Sequence, residues 1–382
     1  MNAKKWTLAF VGLIVLAILT IMTLNYVVDP YKYFASQSGD YYDVDADDYL
    51  REQKIEHIKK NPDKYDAYLI GGSKAGAIKT ENLSKIDGYN YYNCWLLSGN
   101  FPDYLAYAEY IVENTSAKKI LLQISTSELY EFNRTEKGTI YETPAEITGE
   151  SKFVESLSFL MKNPKLAFEE LLDTNPKYYN KPSGERNLQR YYNLYDEYTS
   201  GSGPNRYIGY ILNQTSNYYK YMDKEMPEDT ETVNACIDIL RQIKQLCDES
   251  GVELQVFFGS LFAGQMVFYE GESFYDFLEQ VVMIMDEDIW CFNTYNDVAL
   301  CVYNYYNPSH YFTEVGDLMI DTMAGKPCEF EGFGVKLNRE NVGSEIAKRR
   351  KKLAEWKAFY QKYETLPYTK MEGNWNLKKI YG

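Results

Sequence analysis

The feature that most constrains this chain is a long apolar segment close to its N-terminus. Residues 6–28 read WTLAFVGLIVLAILTIMTLNYVV and contain no charged side chain. A membrane-spanning helix needs roughly 20 consecutive apolar residues, so this segment is long enough to cross a bilayer. Asp29 and Pro30 follow it and favour the end of the helix at that point. We therefore predict a transmembrane anchor over residues 6–28.

The charges beside the anchor predict its orientation. Lys4 and Lys5 precede the apolar segment, and positive charge beside a span favours the cytoplasmic side of the membrane. Residues 1–5 are therefore predicted to be cytoplasmic, and the chain after the anchor to be extracytoplasmic in a single-pass protein of the cell membrane. A cleaved signal peptide is the alternative, but it would have a shorter apolar core and small residues at its cleavage site.

Charge is distributed unevenly along the rest of the chain. The whole sequence carries a net charge of −15, whereas residues 336–382 contain 12 Lys and Arg against 5 Asp and Glu, a net of +7. The acidic main part argues against nucleic acid as a partner, because phosphates attract Lys and Arg. The basic tail has two interpretations: a surface that lies against anionic lipid, or the solvated face of an ordinary helix.

Cysteine and histidine are too scarce for a recognisable metal site. The chain has six cysteines without CxxC spacing, and its two histidines are His57 and His310. We therefore predict neither a metal nor a cofactor. His57 falls in a charged segment that predicts a surface helix. The sequence leaves open whether Cys291 and Cys301 form a disulfide.

Buried strands alternate with amphipathic helices after the anchor. Strands are predicted over residues 65–70, 89–97, 119–124, 252–258 and 289–293, and helices over residues 42–62, 101–114, 153–172, 230–250, 272–285, 313–323 and 339–363. Strands that are separated by helices predict an α/β fold, a three-layer sandwich with a central parallel sheet. The predicted domains are a juxtamembrane entry (29–62), the α/β domain (63–330) and a basic helix and tail (331–382). A helical insertion at about 130–225 is predicted to cover the site as a lid.

Three loops at predicted strand ends carry residues that suit acyl chemistry. Ser73 follows the first strand after two glycines, Gly99 and Asn100 follow the second strand, and His310 follows the fifth. Ligands of parallel sheets bind at these carboxyl ends. A serine within reach of a histidine forms a nucleophile–base pair, and backbone N–H groups can stabilise an oxyanion. Each motif also has an ordinary interpretation, as a turn, a helix cap or a structural histidine.

The order of these motifs resembles the SGNH hydrolase superfamily. It is most similar to the membrane-anchored branch that serves D-alanine transfer to lipoteichoic acid and alginate O-acetylation. The matching segments are residues 25–31, into which the anchor runs, residues 70–73 at the first strand end, and residues 307–311, which stand where the family has Asp-x-x-His. The resemblance covers about residues 25–325 and implies a flavodoxin-like sheet.

The resemblance also implies roles for individual residues. Ser73 would be the nucleophile and His310 its base, and the oxyanion hole would lie at Gly99 and Asn100. The remaining block of the family falls near residues 125–127, where no single residue is assigned.

One position departs from the family pattern, because Asn307 stands where the family has Asp. The carboxylate orients the histidine and stabilises the imidazolium, and the same Asp-to-Asn change in a serine protease costs about 10⁴ in kcat. Asn307 therefore leaves three interpretations: a slow enzyme, an enzyme that recruits another acid such as Asp297, or a domain that has lost catalysis.

Two functions from different classes follow. The first is an acyltransferase or esterase that acts on a cell-surface polysaccharide or other envelope polymer, with a membrane O-acyltransferase as the partner that the resemblance implies. The second is a catalytically inactive domain that binds glycan or scaffolds an envelope complex. The 38 tyrosines, many of them beside Asn, are either a composition bias or a sugar-stacking surface.

Overall fold

The structure is a computed structural model that describes residues 3–36, 50–130, 141–174, 182–200, 205–219, 229–368 and 377. The helices are α1 (Ala3–Val28), α2 (Tyr33–Ser36), α3 (Leu50–Lys60), α4 (Thr80–Asp87), α5 (Phe101–Asn114), α6 (Ala145–Thr148), α7 (Lys152–Leu160), α8 (Lys165–Leu172), α9 (Gln189–Ser200), α10 (Asn205–Tyr219), α11 (Thr230–Ser250), α12 (Ala263–Tyr269), α13 (Glu272–Ile284), α14 (Asp297–Leu300), α15 (Thr313–Met323) and α16 (Val342–Tyr363).

The strands are β1 (Ala67–Gly71), β2 (Tyr91–Trp95), β3 (Lys119–Ile124), β4 (Glu253–Phe258), β5 (Ile289–Cys291), β6 (Tyr305–Asn307), β7 (His310–Tyr311) and β8 (Val335–Leu337). The chain forms two compact units. The first contains residues 1–61 and 134–182, and the second contains residues 62–133 and 183–382.

The first unit begins with the predicted anchor. Its α1 helix has 26 residues and presents its apolar side chains outward. Among the described residues, α1 is the helix that is long and apolar enough to span a membrane. The predicted apolar N-terminal helix is therefore confirmed.

The first unit also corrects the prediction for His57. This residue was expected on a surface helix, but α3 is buried along almost its whole length and His57 is only 5% exposed. Two buried glutamates of α3 are paired with one lysine: Lys152 contacts Glu52 at 2.9 Å and also pairs with Glu56. Burial raises the pKa of Glu52 to about 7. The predicted surface position is wrong because a run of charged residues does not reveal which charges will find partners across the fold.

The second unit is built on a six-stranded sheet with the order β2-β1-β3-β4-β5-β8. The first five strands in this order are parallel, and β8 pairs with β5 in the antiparallel direction. β1, β2 and β3 are buried throughout, as is typical of parallel strands that are covered on both faces. The predicted α/β class with a mostly parallel central sheet is confirmed.

The helices of the second unit pack in two groups. α11 contacts α5 and α13, and α4 contacts α15. This arrangement fits the three-layer sandwich that the alternation of strands and helices predicts. The sequence pattern missed the short edge strand β8 and the small sheet of β6 and β7.

The predicted insertion over residues 130–225 is divided between the two units. Residues 134–182, with α6, α7 and α8, belong to the first unit, and α9 and α10 belong to the second. In the second unit, Tyr207 of α10 donates a hydrogen bond to the Tyr305 carbonyl at 2.8 Å. The structure leaves the lid role untested, and several parts of the insertion lie outside the described residues.

Candidate active site

The loop after β1 positions Ser73. Gly71 ends the strand, and a Cβ there would lie 2.9 Å from the Ala75 Cβ and 3.1 Å from the Gln123 Cβ. The Ala75 N–H then donates to the Gly72 carbonyl at 3.0 Å, which closes a tight turn around Ser73. Close packing at Gly71 therefore brings the chain directly from the sheet into the turn that presents the serine.

A small hairpin positions His310. β6 and β7 are antiparallel, and Asn307 is the cross-strand partner of His310 in their register. Directly opposite residues of an antiparallel pair have neighbouring side chains. The hairpin therefore places the Asn307 amide beside the His310 ring.

The structure brings these three side chains into one hydrogen-bonded series. The Oγ atom of Ser73 lies 2.6 Å from Nε2 of His310, and Nδ1 of His310 lies 2.9 Å from Oδ1 of Asn307. Both distances are within the reach that proton transfer needs. Their catalytic roles stay predictions, but the two residues that were expected to meet from strand ends are in contact.

A cavity of about 190 Å³ lies against this series. It is lined by Gly72, Ser73, Lys74, Ser98, Gly99, Ser127, Glu128, Gln265, Tyr269, Ser309 and His310. Ser98 has a left-handed backbone with φ of +48°, which is uncommon for a residue other than glycine. A strained residue at the edge of a polar cavity is typical of a functional site.

The backbone of Ser309 identifies which atom of the Asn307 amide faces the histidine. The Ser309 N–H donates to Oδ1 of Asn307 at 2.8 Å, and only the oxygen of the amide can accept this bond. The same oxygen faces the ring, so Nδ1 of His310 carries the proton and Nε2 is left as an acceptor for the Ser73 hydroxyl. Asn307 therefore holds the tautomer that a general base requires, although it supplies no charge.

The charges around His310 favour the neutral ring. Burial and the positive charges of Arg186 and Lys74 hold the pKa of His310 well below its ordinary value. The ring of Tyr306 stacks on the imidazole at 5.3 Å between centroids, and Arg186 donates to the Tyr306 hydroxyl at 3.1 Å. The site therefore provides a neutral base at pH 7 but stabilises its imidazolium form poorly.

Asp297 does not take the place of the missing carboxylate. It is the first residue of α14, and the side-chain hydrogen bonds of His310 go to Ser73 and Asn307. Within the part of the chain that the structure describes, no carboxylate bonds to the imidazole. The recruitment of Asp297 by His310 is therefore absent from this structure.

The two residues that were predicted to form the oxyanion hole have other partners. The Gly99 N–H donates to the Leu96 carbonyl at 3.1 Å, within a turn. Asn100 caps α5: its backbone N–H donates to Oδ2 of Asp103 at 3.1 Å, and its Oδ1 accepts from the Asp103 N–H. Gly99 lines the cavity, as expected, but both backbone N–H groups are engaged by neighbouring residues.

Other groups at the cavity can stabilise negative charge. Lys74 is only 9% exposed, and its Nζ donates to Oγ of Ser127 at 3.0 Å. The Ser73 backbone N–H donates to no described residue. Of residues 125–127, where the sequence assigned no single residue, Ser127 lines the cavity. The sequence argument missed Lys74, although its position directly after Ser73 was a usable signal, and nothing in the sequence pointed to Arg186.

The structure places no metal-binding group at this site. Across residues 3–36, 50–130, 141–174, 182–200, 205–219 and 229–368, no group of three or more His, Cys, Asp and Glu side chains is arranged to hold a metal ion. Cys291 and Cys301, whose pairing the sequence left open, are both buried, and no disulfide joins them.

The comparison with known proteins does not assign the chain to a family. No model of a protein family matches the sequence, and no curated protein matches it at a significant level. The function is therefore inferred from the side chains that meet at the cavity.

Proposed function

We propose that this chain is an extracytoplasmic acyl-transfer enzyme of the SGNH hydrolase type, an acyltransferase or esterase that acts on a cell-surface polysaccharide or other envelope polymer. The observation that carries the proposal is the contact of Ser73 with His310, whose Oγ and Nε2 atoms lie 2.6 Å apart. The orientation of the imidazole by Asn307 supports it, because it leaves Nε2 free to accept a proton.

The proposed reaction has two half-reactions that share one intermediate. His310 Nε2 takes the proton of the Ser73 hydroxyl while Oγ attacks the carbonyl carbon of the acyl donor. The tetrahedral intermediate collapses, His310 returns the proton to the leaving alcohol, and the acyl group stays on Ser73 as an ester. His310 then deprotonates a hydroxyl of the acceptor, which attacks the ester and releases Ser73 with its proton.

The positive charge of Lys74 at the cavity favours the oxyanion over the imidazolium. Lys74 lowers the pKa of His310 and so opposes the imidazolium. The same positive charge favours the oxyanion of the tetrahedral intermediate, since charge in a partly dehydrated site is stabilised by fixed donors. With Gly99 and Asn100 engaged elsewhere, Lys74 and the Ser73 N–H are the proposed oxyanion donors.

The membrane anchor supports the proposed setting. We propose that α1 spans the cell membrane with residues 1–5 in the cytoplasm, and that the α/β domain faces the envelope. The similarity of the motifs to the membrane-anchored SGNH branch supports a membrane O-acyltransferase as the source of the acyl group. The absent carboxylate favours weak hydrolysis in water and transfer in the presence of that partner.

A catalytically inactive glycan-binding or scaffold domain is the second candidate. Three observations favour it: Asn307 carries no charge, the pKa of His310 is lowered, and the Gly99 N–H is already bonded to Leu96. In such a domain the polar cavity would bind a glycan, and Ser73 would act only as a hydrogen-bonding group.

Trapping of the acyl-enzyme distinguishes the two candidates. Full-length protein in nanodiscs would be incubated with a simple acyl ester, and its peptides would be examined by mass spectrometry. We expect the acyl group on Ser73, its loss in Ser73→Ala and its retention in Ser344→Ala, an exposed serine of α16 that does not line the cavity. Turnover that persists in Ser73→Ala would place the nucleophile elsewhere. Glycan binding by all variants without any acylation would support the inactive domain.

A further inference from the structure

Two helices of the first unit expose an apolar surface. The helical hairpin formed by α7, residues 161–164 and α8 is called here the juxtamembrane hairpin. Six of its large apolar side chains are between 49% and 81% exposed: Phe153, Val154, Met161, Phe168, Leu171 and Leu172. Several large exposed apolar side chains on one segment of a folded unit point to a site that contacts a membrane or a partner.

The sequence of α7 places these side chains opposite its buried face. Phe153 and Val154 point away from Glu155 and Phe159, which are 8% and 2% exposed, as the 3.6-residue period requires. Phe159 packs inward on Tyr33, with 4.3 Å between the ring centroids. The apolar side chains on the exposed face of α7 therefore do not contribute to the core of the first unit.

Hydrogen bonds fix the hairpin to the end of the apolar helix α1. The Asn25 amide donates to the Leu160 carbonyl at 2.9 Å and to the Lys162 carbonyl at 2.8 Å. Lys32, just after the helix, pairs with Glu170 of α8 at 2.9 Å. Since Asn25 satisfies carbonyls in the turn between α7 and α8, the hairpin lies at the level where α1 ends.

The length of α1 indicates how deep in a bilayer Asn25 and the hairpin would lie. At about 1.5 Å per residue, the helix covers about 29 Å from Trp6 to Asn25. The hydrocarbon core of a bilayer is about 30 Å thick. Asn25 would therefore lie at the boundary of the hydrocarbon and the headgroups when α1 spans the membrane, and it holds the hairpin at that boundary.

We propose that the juxtamembrane hairpin lies in the outer interface of the bilayer, with its apolar side chains among the lipid acyl chains. This proposal rests on α1 spanning the membrane and is independent of the chemistry at Ser73. Interfacial helices insert their apolar face about 5–10 Å and keep Lys residues at the headgroups. Lys165, with 75% of its side chain exposed, and the exposed Tyr26 of α1 suit that boundary.

The occupant is lipid rather than a second protein because the hairpin continues the surface of the span. Its apolar side chains are held beside α1 by the Asn25 bonds, so a bilayer that surrounds α1 reaches them without any further component. The consequence is a two-point attachment, in which the hairpin prevents the first unit from turning freely about its anchor.

Spin labels in the full-length protein test the proposal. Single cysteines at Phe153 and Phe168 would be labelled in a Cys328→Ser background, because Cys328 is the cysteine that is not buried. The protein would be reconstituted into vesicles of phosphatidylcholine and phosphatidylglycerol. Glu169→Cys is the matched control, since it is next to Phe168 but turned about 100° around α8, with 55% of its side chain exposed.

We expect labels at Phe153 and Phe168 to collide with oxygen, which dissolves in lipid, and to be protected from a water-soluble nickel complex. The label at Glu169 should show several-fold greater access to nickel. Equally high nickel access at all three positions would overturn the proposal, since the hairpin would then face water. Protection of Phe153 and Phe168 from both reagents would also overturn it, because a protein surface would then cover the hairpin.

Discussion

Nδ1 of His310 donates a hydrogen bond to Oδ1 of Asn307 across the β6–β7 hairpin, over 2.9 Å. Under the proposed function, this is the position at which an SGNH hydrolase carries Asp. The amide keeps the orientation and the tautomer of the ring, but it lacks the negative charge that would stabilise an imidazolium. The proposed catalytic site therefore has the geometry of a nucleophile–base pair but lacks the negative charge that usually accompanies it.

Asn307→Asp should restore the missing charge. A carboxylate beside His310 raises the pKa of the ring and stabilises the imidazolium that forms as Ser73 attacks. One to two pKa units correspond to about 10- to 100-fold in rate, and we expect turnover of a simple acyl ester to rise by about this factor.

The control for this change is the same substitution in a Ser73→Ala background, which should remain inactive. Stopped assays with the full-length protein in detergent would measure both. If Asn307→Asp leaves turnover unchanged while the folded structure is retained, the lack of charge at this position is not what limits the chemistry.

The protonation of His310 should be visible directly, because the chain has only two histidines. We expect ¹⁵N NMR at pH 7 to show a neutral ring with the proton on Nδ1, and His310→Gln to assign the signal by its loss. The pKa of His310 should lie below the ordinary value of 6.5, since burial, Arg186 and Lys74 all lower it. A ring protonated on Nε2 would contradict the orientation that we infer for Asn307.

The same lowered pKa has a consequence for stability. Between pH 6.5 and the lower folded pKa, the unfolded chain binds a proton at this residue and the folded chain does not. The contribution of His310 to the free energy of unfolding is therefore complete above about pH 6.5 and falls as the pH is lowered. Chemical denaturation should show a smaller loss of stability between pH 7 and pH 5 in His310→Gln than in the wild type.

Two neighbouring arginines of α16 should differ sharply in their effect on stability. Arg349 pairs with Glu270 at 2.7 Å, and both side chains are buried, whereas Arg350 pairs with Glu272 on the surface. Arg349→Met leaves Glu270 buried without its cation, and burial already raises the pKa of that carboxyl. We expect a loss of about 3–5 kcal/mol for Arg349→Met and of less than about 1 kcal/mol for Arg350→Met.

Urea denaturation of the two variants measures this difference. Equal effects of the two substitutions would show that the buried pair does not hold α16 against the segment between α12 and α13. The comparison is well matched because the substituted residues are adjacent and the replacement is the same.

The proposed topology predicts where a protease can act. With Lys4 and Lys5 in the cytoplasm, protease added to intact cells should degrade the α/β domain and leave a tag on the N-terminus intact. Protection of the domain from the protease would show that the orientation is opposite to the proposed one. A soluble form that begins near residue 25–30 would show that the apolar helix is cleaved.

The sequence by itself determined the elements whose signals are local. The apolar anchor, the helices 101–114, 230–250 and 313–323, and the strand 119–124 have the bounds or the character that their patterns predict, since periodicity reports which face of an element is buried. The placement of Ser73 at a strand end also followed from pattern, because ligands of parallel sheets bind at the carboxyl ends of the strands. His310 was expected directly after the fifth strand, but it begins β7 of the small antiparallel hairpin that the pattern missed.

Only the tertiary structure decided the properties that depend on distant partners. Ser73 and His310 meet across 237 positions of sequence, and the Ser309 N–H decides which atom of Asn307 faces the ring. The engagement of the Gly99 N–H, the burial of His57 and the exposure of Phe153 are equally invisible in local pattern. The physical reason is that periodicity encodes how polar one face of an element is, whereas hydrogen-bond partners and solvent access depend on what the rest of the chain places against it.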